Sequence, residues 1–328
     1  MHQQPMVRLG GMAIWVATLL PIVCFWCVSM ATPFQDLFSP EDLSTLLLIL
    51  LGGSGFFLIG LADDVFELSP FNRLWMQAAI AAALWWCGLR IEAVMLPGMA
   101  PFPLGWVSLP VTIVWLAGVV NAINWMDGLD GLAAGVASIG TGILVMLAIV
   151  MAQPVPALVG AALLGSLVGF LYYNYNPADI FMGDGGSYFI GFLLASLCIV
   201  GPQRLDDSFA TLLPLMILAV PLGDMTWVIL ARLYRKKSPF YADNRHLHHR
   251  LLQMDFTHRA TVWVMYGLTL ATGCLTFVVS GFIDTWIYLL GIVFLVGAVI
   301  VRSRRVQGVP KQNSDVVTRK ALWSSENL

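Results

Sequence analysis

Ten apolar runs, near 10–30, 43–62, 73–89, 106–125, 132–151, 156–175, 187–202, 209–231, 260–282 and 284–302, constrain this chain more than anything else in it. Crossing a hydrocarbon layer of ~30 Å takes about 20 helical residues. Inside that layer a helix pairs all of its own backbone groups, as an open strand does not. The expected fold is therefore all-α, a polytopic integral membrane protein of about ten transmembrane helices. With 59% hydrophobic and 11% charged residues and a mean hydropathy of +0.81, a soluble domain is excluded. The first run is longer than the roughly 7–15-residue core of a cleaved signal peptide and nine more follow it, so it reads as a span. All five cysteines (Cys24, Cys27, Cys87, Cys198, Cys274) fall inside apolar runs, where they read as small buried hydrophobes, the "CFWC" pair included.

Ten spans make the connecting loops alternate between two sides. Of the 17 Lys and Arg residues, all but Arg90 and Arg204 fall on the side of both termini and of the loops near 63–72, 124–131, 174–186 and 232–259. The positive-inside rule places that side in the cytoplasm. Residues 1–302 are expected to form a single transmembrane catalytic domain with a long cytoplasmic loop at 232–259, and 303–328 a disordered cytoplasmic tail whose basic residues touch anionic lipid.

Ionisable residues near a membrane core are costly and point to function. Four clusters lie on the cytoplasmic side. In "GLADDVFELSPFNR", Asp63 and Asp64 end the second helix and Arg73 opens the third. Adjacent carboxylates repel unless a cation or shared proton intervenes, so the pair suits a metal, a phosphate partner or proton transfer, or else a solvated helix end. In "NAINWMDGLDGL", Asn121, Asn124, Asp127 and Asp130 stand three residues apart, a slowly winding polar ribbon if the segment is helical. Such a ribbon can glue helices together, but two acids beside glycines favour a ligand site. "NPADIFMGDGGS" sets Asp184 among glycines just ahead of the next helix, where N–H groups can face an anion and the carboxylate a hard cation, with Phe181 three residues before it. "NRHLHHRLL" crowds Arg245, His246, His248, His249 and Arg250 together. Zinc is one reading, a solvated basic loop another, but no cysteine lies near and the acids elsewhere suit magnesium. The loop reads best as a cationic clamp on a diphosphate. Asp224, in "PLGDM", lies about two turns inside its helix, where structural pairing and catalysis are both open.

These clusters suggest magnesium-assisted phosphoryl chemistry between a soluble nucleotide donor and a lipid acceptor, because magnesium takes few protein oxygens and keeps substrate phosphates in its shell. The rival class is a secondary transporter, which would hold its binding residues near the bilayer midplane rather than at cytoplasmic helix ends.

"GLADDVFEL", "NAINWMDGLDGL", "NPADIFMGDGGS", "PLGDM" and "SPFYADNRHLHHRLL" stand in an order that resembles the polyprenyl-phosphate N-acetylhexosamine-1-phosphate transferases. The resemblance implies transfer of N-acetylglucosamine 1-phosphate from UDP-GlcNAc to undecaprenyl phosphate, with release of UMP, at the inner membrane of a bacterium. It further implies Mg2+, or Mn2+ in its place, held by Asn124 and Asp184 with the donor diphosphate. Asp63 and Asp64 would lie near the lipid phosphate, one of them as base or positioning group, and Asp127 belongs to the same machinery in a less defined role. Phe181 would stack on uracil and Asp130 contact it, Arg73 would touch phosphate, and Arg245, His246, His248 and His249 would close over diphosphate and sugar. Asn121 and Asp224 are the least assigned. "HLHH" resembles enzymes that start polymers with N-acetylglucosamine, whereas the enzyme that takes UDP-MurNAc-pentapeptide carries three consecutive histidines. Membrane lipids and a second copy of the chain are the implied partners, and nucleic acid is not. "HQQPMVRLGG" resembles the first cytoplasmic loop of these enzymes, whose relatives carry one more helix ahead of it.

Overall fold

A computed structural model of the chain describes residues 9–29, 38–95, 99–201, 211–238 and 245–279. Eleven helices order it: α1 (Gly10–Ser29), α2 (Pro40–Phe66), α3 (Pro70–Trp86), α4 (Ser108–Met126), α5 (Leu132–Val150), α6 (Pro154–Asn174), α7 (Gly183–Val200), α8 (Leu212–Ile217), α9 (Ala219–Tyr234), α10 (Leu247–Gln253) and α11 (His258–Val279). A two-residue antiparallel bridge, β1 (Ala93–Val94) with β2 (Phe102–Pro103), folds the loop between α3 and α4. Among the described residues, α1, α2, α4 with its leading turn, α5, α6, α7 and α11 are seven helices long and apolar enough to cross a membrane. The chain is a multi-pass, all-α membrane protein.

Local chemistry sets the helix starts. Ser39 accepts the Asp42 N–H while Asp42 accepts the Ser39 N–H, a reciprocal cap with Pro40 in the first helical position. Ser69 and Pro70 start α3 in the same manner, Ser69 Oγ accepting from Asn72 N.

Nine of the ten expected spans meet a described helix, and the last, 284–302, lies outside the described residues, as does the tail 303–328. The run at 209–231 is a correction. It is not one helix: α8 ends at Ile217 and α9 begins at Ala219. Pro221 has no N–H to return to the carbonyl four residues back, and the ladder breaks there. Asp224 lies inside α9, in its second turn. The loop 232–259 also holds helix α10.

Helix α7 is the axis of the bundle, with every residue from Gly185 to Ile199 buried. Phe192 stacks on Phe56 of α2 at 4.8 Å, and the carbonyl of Ala195 accepts from Trp115 Nε1 of α4. Leu51, Val114 and Trp227 are among the large apolar side chains left exposed, a surface suited to lipid.

Loops gather at two ends. One end joins the start of α1 to the loop before α7 (Gly10 N to Phe181 O, Gly11 N to Met182 O) and the start of α5 to the end of α6 (Gly131 N to Asn174 Oδ1). The other ties the β1 segment to the start of α8 (Met95 N to Thr211 Oγ1) and the α5–α6 turn to the end of α7 (Gln153 Nε2 to Gly201 O). Every described Lys and Arg except Arg90 belongs to the first end.

Candidate active site

Close helix contact builds the floor of the site. A Cβ on Gly60 of α2 would stand 2.3 Å from the Asp184 carbonyl oxygen, and one on Gly11 of α1 would stand 2.3 Å from Gly186 N. Only glycine lets these backbones meet. The result brings Asp64, in the last turn of α2, to the start of α7, where its Oδ2 accepts the Gly185 N–H at 3.0 Å. Asp184 lies in the first turn of α7 rather than ahead of the helix, so it completes the helix N-terminus while facing outward.

A cavity of about 390 Å³ opens above this floor, lined by Asp64, Asp127, Asp130, Asn174, Phe181 and Asp184 among others. Four carboxylates thus share one cavity, and no Lys or Arg is among its lining residues. Asp127 caps the end of α4 with non-helical backbone. Desolvation in its half-buried place, and then the charges of Asp184, Asp64 and Asp130, push its carboxyl up to about 7. The polar ribbon is accordingly helical only at Asn121 and Asn124; α4 stops at Met126 and a turn presents Asp127 and Asp130. Asp130 Oδ2 accepts from Asn176 Nδ2 at 3.0 Å and Ala178 N at 3.2 Å, locking the loop that leads to Phe181.

Asn124 donates from Nδ2 to Asp184 Oδ1 at 2.6 Å and to Ser187 Oγ at 3.0 Å. Its carbonyl oxygen is left for another partner. No group of three or more carboxylate, imidazole or thiol side chains that could hold a metal forms among the described residues. Magnesium does not need such a cage, since one or two protein oxygens plus substrate phosphates and water complete its shell. The excess of carboxylates facing one cavity fits a divalent cation.

The adjacent acids are placed differently, although the Asp63 carboxyl stays within hydrogen-bonding reach of Asp184. Asp63 is buried and does not line the cavity. Its Oδ1 accepts from Leu68 N at 2.9 Å, and its Oδ2 accepts from Arg73 Nη1 at 2.7 Å and Tyr188 Oη at 3.2 Å. Arg73 is thereby held against Asp63 beside the cavity rather than in its wall. Asn121 also stands apart, donating to Gln77 Oε1 at 2.7 Å and to the Ala117 carbonyl, a link between α4 and α3.

The histidine segment divides as well. His246 and His248 are buried, and His248 Nε2 would stand 3.0 Å from a Cβ on Gly128, so this ring packs over the rim of the acid cavity. Burial, then His249 and His246, push the His248 pKa down to about 4. His248 is therefore a neutral ring at pH 7, which leaves the positive charge of the segment to its other members. His249 stacks obliquely on it at 4.3 Å. Arg245 lines a different cavity, of about 920 Å³, with Trp227, Tyr234, Arg235 and Arg250. Asp224 of α9 accepts from His246 Nδ1 and Leu247 N.

Sequence reasoning missed Tyr188, Ser187, Gln77 and the asparagines Asn174 and Asn176. Ser187 and Asn176 lie inside the quoted motifs, one helical turn from Asp184 and beside Pro177, a signal that was available, and Asn174 stands two residues ahead of the same motif. Tyr188 and Gln77 are reached only by helix packing.

The profile of glycosyl transferase family 4 matches residues 46–202, a stretch that contains Asp63, Asp64, Asn124, Asp127, Asp130 and Asp184. Among curated relatives, the probable undecaprenyl-phosphate N-acetylglucosaminyl 1-phosphate transferase of Bacillus subtilis is 29% identical over 306 residues, covering 93% of this chain and 76% of the relative. The decaprenyl-phosphate N-acetylglucosaminephosphotransferase of Mycolicibacterium smegmatis is 32% identical over 294 residues, 81% of this chain and 70% of the relative. A phospho-N-acetylmuramoyl-pentapeptide-transferase of Synechococcus is 41% identical over 140 residues, 42% of this chain and 40% of its own length.

Proposed function

The chain belongs to glycosyl transferase family 4, the polyprenyl-phosphate N-acetylhexosamine-1-phosphate transferases, and is a membrane phosphotransferase; from that premise we propose that it transfers N-acetylglucosamine 1-phosphate from UDP-GlcNAc to undecaprenyl phosphate. An oxygen of the lipid phosphate attacks the sugar-linked phosphorus, the bond to the bridging oxygen breaks, and that oxygen leaves on UMP. The observation that carries the reading is the single cavity where Asp64, Asp127, Asp130 and Asp184 converge beside Phe181 at one end of the bundle.

Each side chain has a part in this proposal. Asp184, oriented by Asn124, and the free carbonyl oxygen of Asn124 hold Mg2+. Bound there, the ion would supply positive charge to the diphosphate. Asp64 faces the cavity with its position fixed by the Gly185 N–H, and takes the base or positioning role that sequence divided between two acids. Asp63 holds Arg73, and Arg73 meets phosphate from the edge of the site. Phe181 stacks on uracil and Asp130 sets the loop that carries it. His246 supplies a hydrogen bond to the diphosphate.

The end that carries the acids also carries all the described basic residues but Arg90, which supports a cytoplasmic site in a bacterial inner membrane. The reading gains further support from "HLHH" and from relatives whose names specify N-acetylglucosamine.

Purified protein with undecaprenyl phosphate, magnesium and a panel of UDP-sugars tests it. UMP release and a lipid-diphosphate sugar with UDP-GlcNAc are expected; UMP with UDP-MurNAc-pentapeptide and none with UDP-GlcNAc would reassign the donor.

A further inference from the structure

We infer that Asp224 is the positioning residue of the histidine segment, fixing the ring of His246 so that Nδ1 is its protein-facing donor and Nε2 the one ring nitrogen left for substrate. Both side chains are withdrawn from solvent, 3% exposed for Asp224 and 9% for His246. Asp224 Oδ2 lies 2.8 Å from His246 Nδ1, and Oδ1 accepts the Leu247 N–H at 2.6 Å. A carboxylate carries no proton to give, so against it Nδ1 must be the donor. In the neutral ring that assigns the proton to Nδ1 and leaves Nε2 as an acceptor; in the charged ring Nε2 becomes a donor suited to phosphate.

The second bond does separate work. His246 is the N-cap residue of α10, yet its side chain makes no cap hydrogen bond, and the first backbone N–H of that helix is satisfied from α9 instead. One carboxylate thus fixes both the ring and the backbone that follows it. Trp125 confines the ring from the α4 side, edge to face at 5.6 Å, and His248 lies nearly parallel to it at 5.5 Å. Trp125 is the neighbour of Asn124, so this chain of contacts carries the placement of α9 to the edge of the acid cavity.

The inference rests on the proposed reaction for its activity readout and on nothing in that reaction for its spectroscopic one. Asp224→Asn is the informative variant. Its amide oxygen still accepts the Leu247 N–H, while its NH2 group faces His246 Nδ1 and turns that atom into the acceptor. In ring-15N-histidine-labelled protein without substrate, with His246→Gln identifying the signal, neutral His246 is expected as the Nδ1–H tautomer, switching to Nε2–H in Asp224→Asn. Turnover should fall about tenfold to a hundredfold, the range seen when a carboxylate that orients a histidine is lost. In a His246→Gln background, Asp224→Asn should change turnover less than about twofold, because the pair acts as a unit. An Nε2–H tautomer in the unaltered protein overturns the inference, as does an equal loss from Asp224→Asn with and without His246. If the tautomers are as expected and no UDP-sugar yields UMP, the proposed reaction fails and the positioning role stands.

Discussion

Carboxylates at the site end of the bundle fall into two regions that treat them in opposite ways. In the last turn of α2 and the second turn of α9, Asp63 and Asp224 are buried and each accepts two or three hydrogen bonds from the protein itself. In the acid cavity, Asp64, Asp127, Asp130 and Asp184 face one another with no cation among the lining residues. The first arrangement stores stability. The second spends it, because like charges brought together and partly dried oppose folding until something positive arrives. Asp63 and Asp64 show the contrast between sequence neighbours, with Asp63 satisfied by Arg73 and Tyr188 and still reaching Asp184 at the edge of the cavity.

Substitutions should therefore separate activity from stability. The largest effect is expected from Asp184→Asn, which should lower turnover by about 10²–10³-fold, the usual loss when a group that stabilises transferring charge is removed. Its melting temperature without magnesium should hold or rise. UMP release and thermal unfolding measured on one preparation would break the comparison if the variant melted early and stayed active. Asp63→Asn should do the reverse in emphasis, costing about 2 kcal/mol of stability as Arg73 and Tyr188 lose a charged acceptor. Denaturation in detergent reads that directly, and a double-variant cycle with Arg73→Gln should show the two acting together. Asp130→Ala should raise the KM for the donor about tenfold with a smaller change in kcat, since it frees Asn176 and Ala178 ahead of Phe181.

The remaining effect is a slope spread over several pH units. Asp127 has its folded pKa raised to about 7 from an ordinary 3.8, so between those values the folded protein binds more protons than the unfolded chain. Stability without magnesium should then fall as pH rises from about 4 to 7, by at most about 1.4 kcal/mol per pH unit. Asp127→Asn should flatten the slope, and magnesium should reduce it at pH 7. A slope unchanged in Asp127→Asn would place the titrating group elsewhere.

Much of this was legible in the chain. The apolar runs located the helices because a lipid-crossing helix must be both long and continuous, and the ordered motifs brought together Asp64, Asn124, Asp127, Asp130, Phe181 and Asp184. What stayed hidden depended on packing between distant segments. Whether Asp63 or Asp64 faces the cavity is decided by which of them meets Arg73 and Tyr188, a question of helix rotation. The partner of Asp224 lies across a loop. Arg245 lines its cavity with Trp227 and Tyr234 of α9, a meeting of segments that no local pattern encodes. The break at Leu218 is different, because Pro221 announced it and the apolar run concealed it.

The glycine contacts beneath the cavity bear on how this enzyme accommodates two substrates of very different shape. At Gly11 and Gly60 the backbones of α1 and α2 already touch α7, leaving no side-chain layer that could compress or slip. Sliding one helix past another there would drive atom into atom. Adaptation to donor and acceptor is left to the side chains and loops above that floor, where α10 is held by Asp224, by α11 and by Trp227. The lower surface is an anvil: both substrates meet over backbone that has no room to yield.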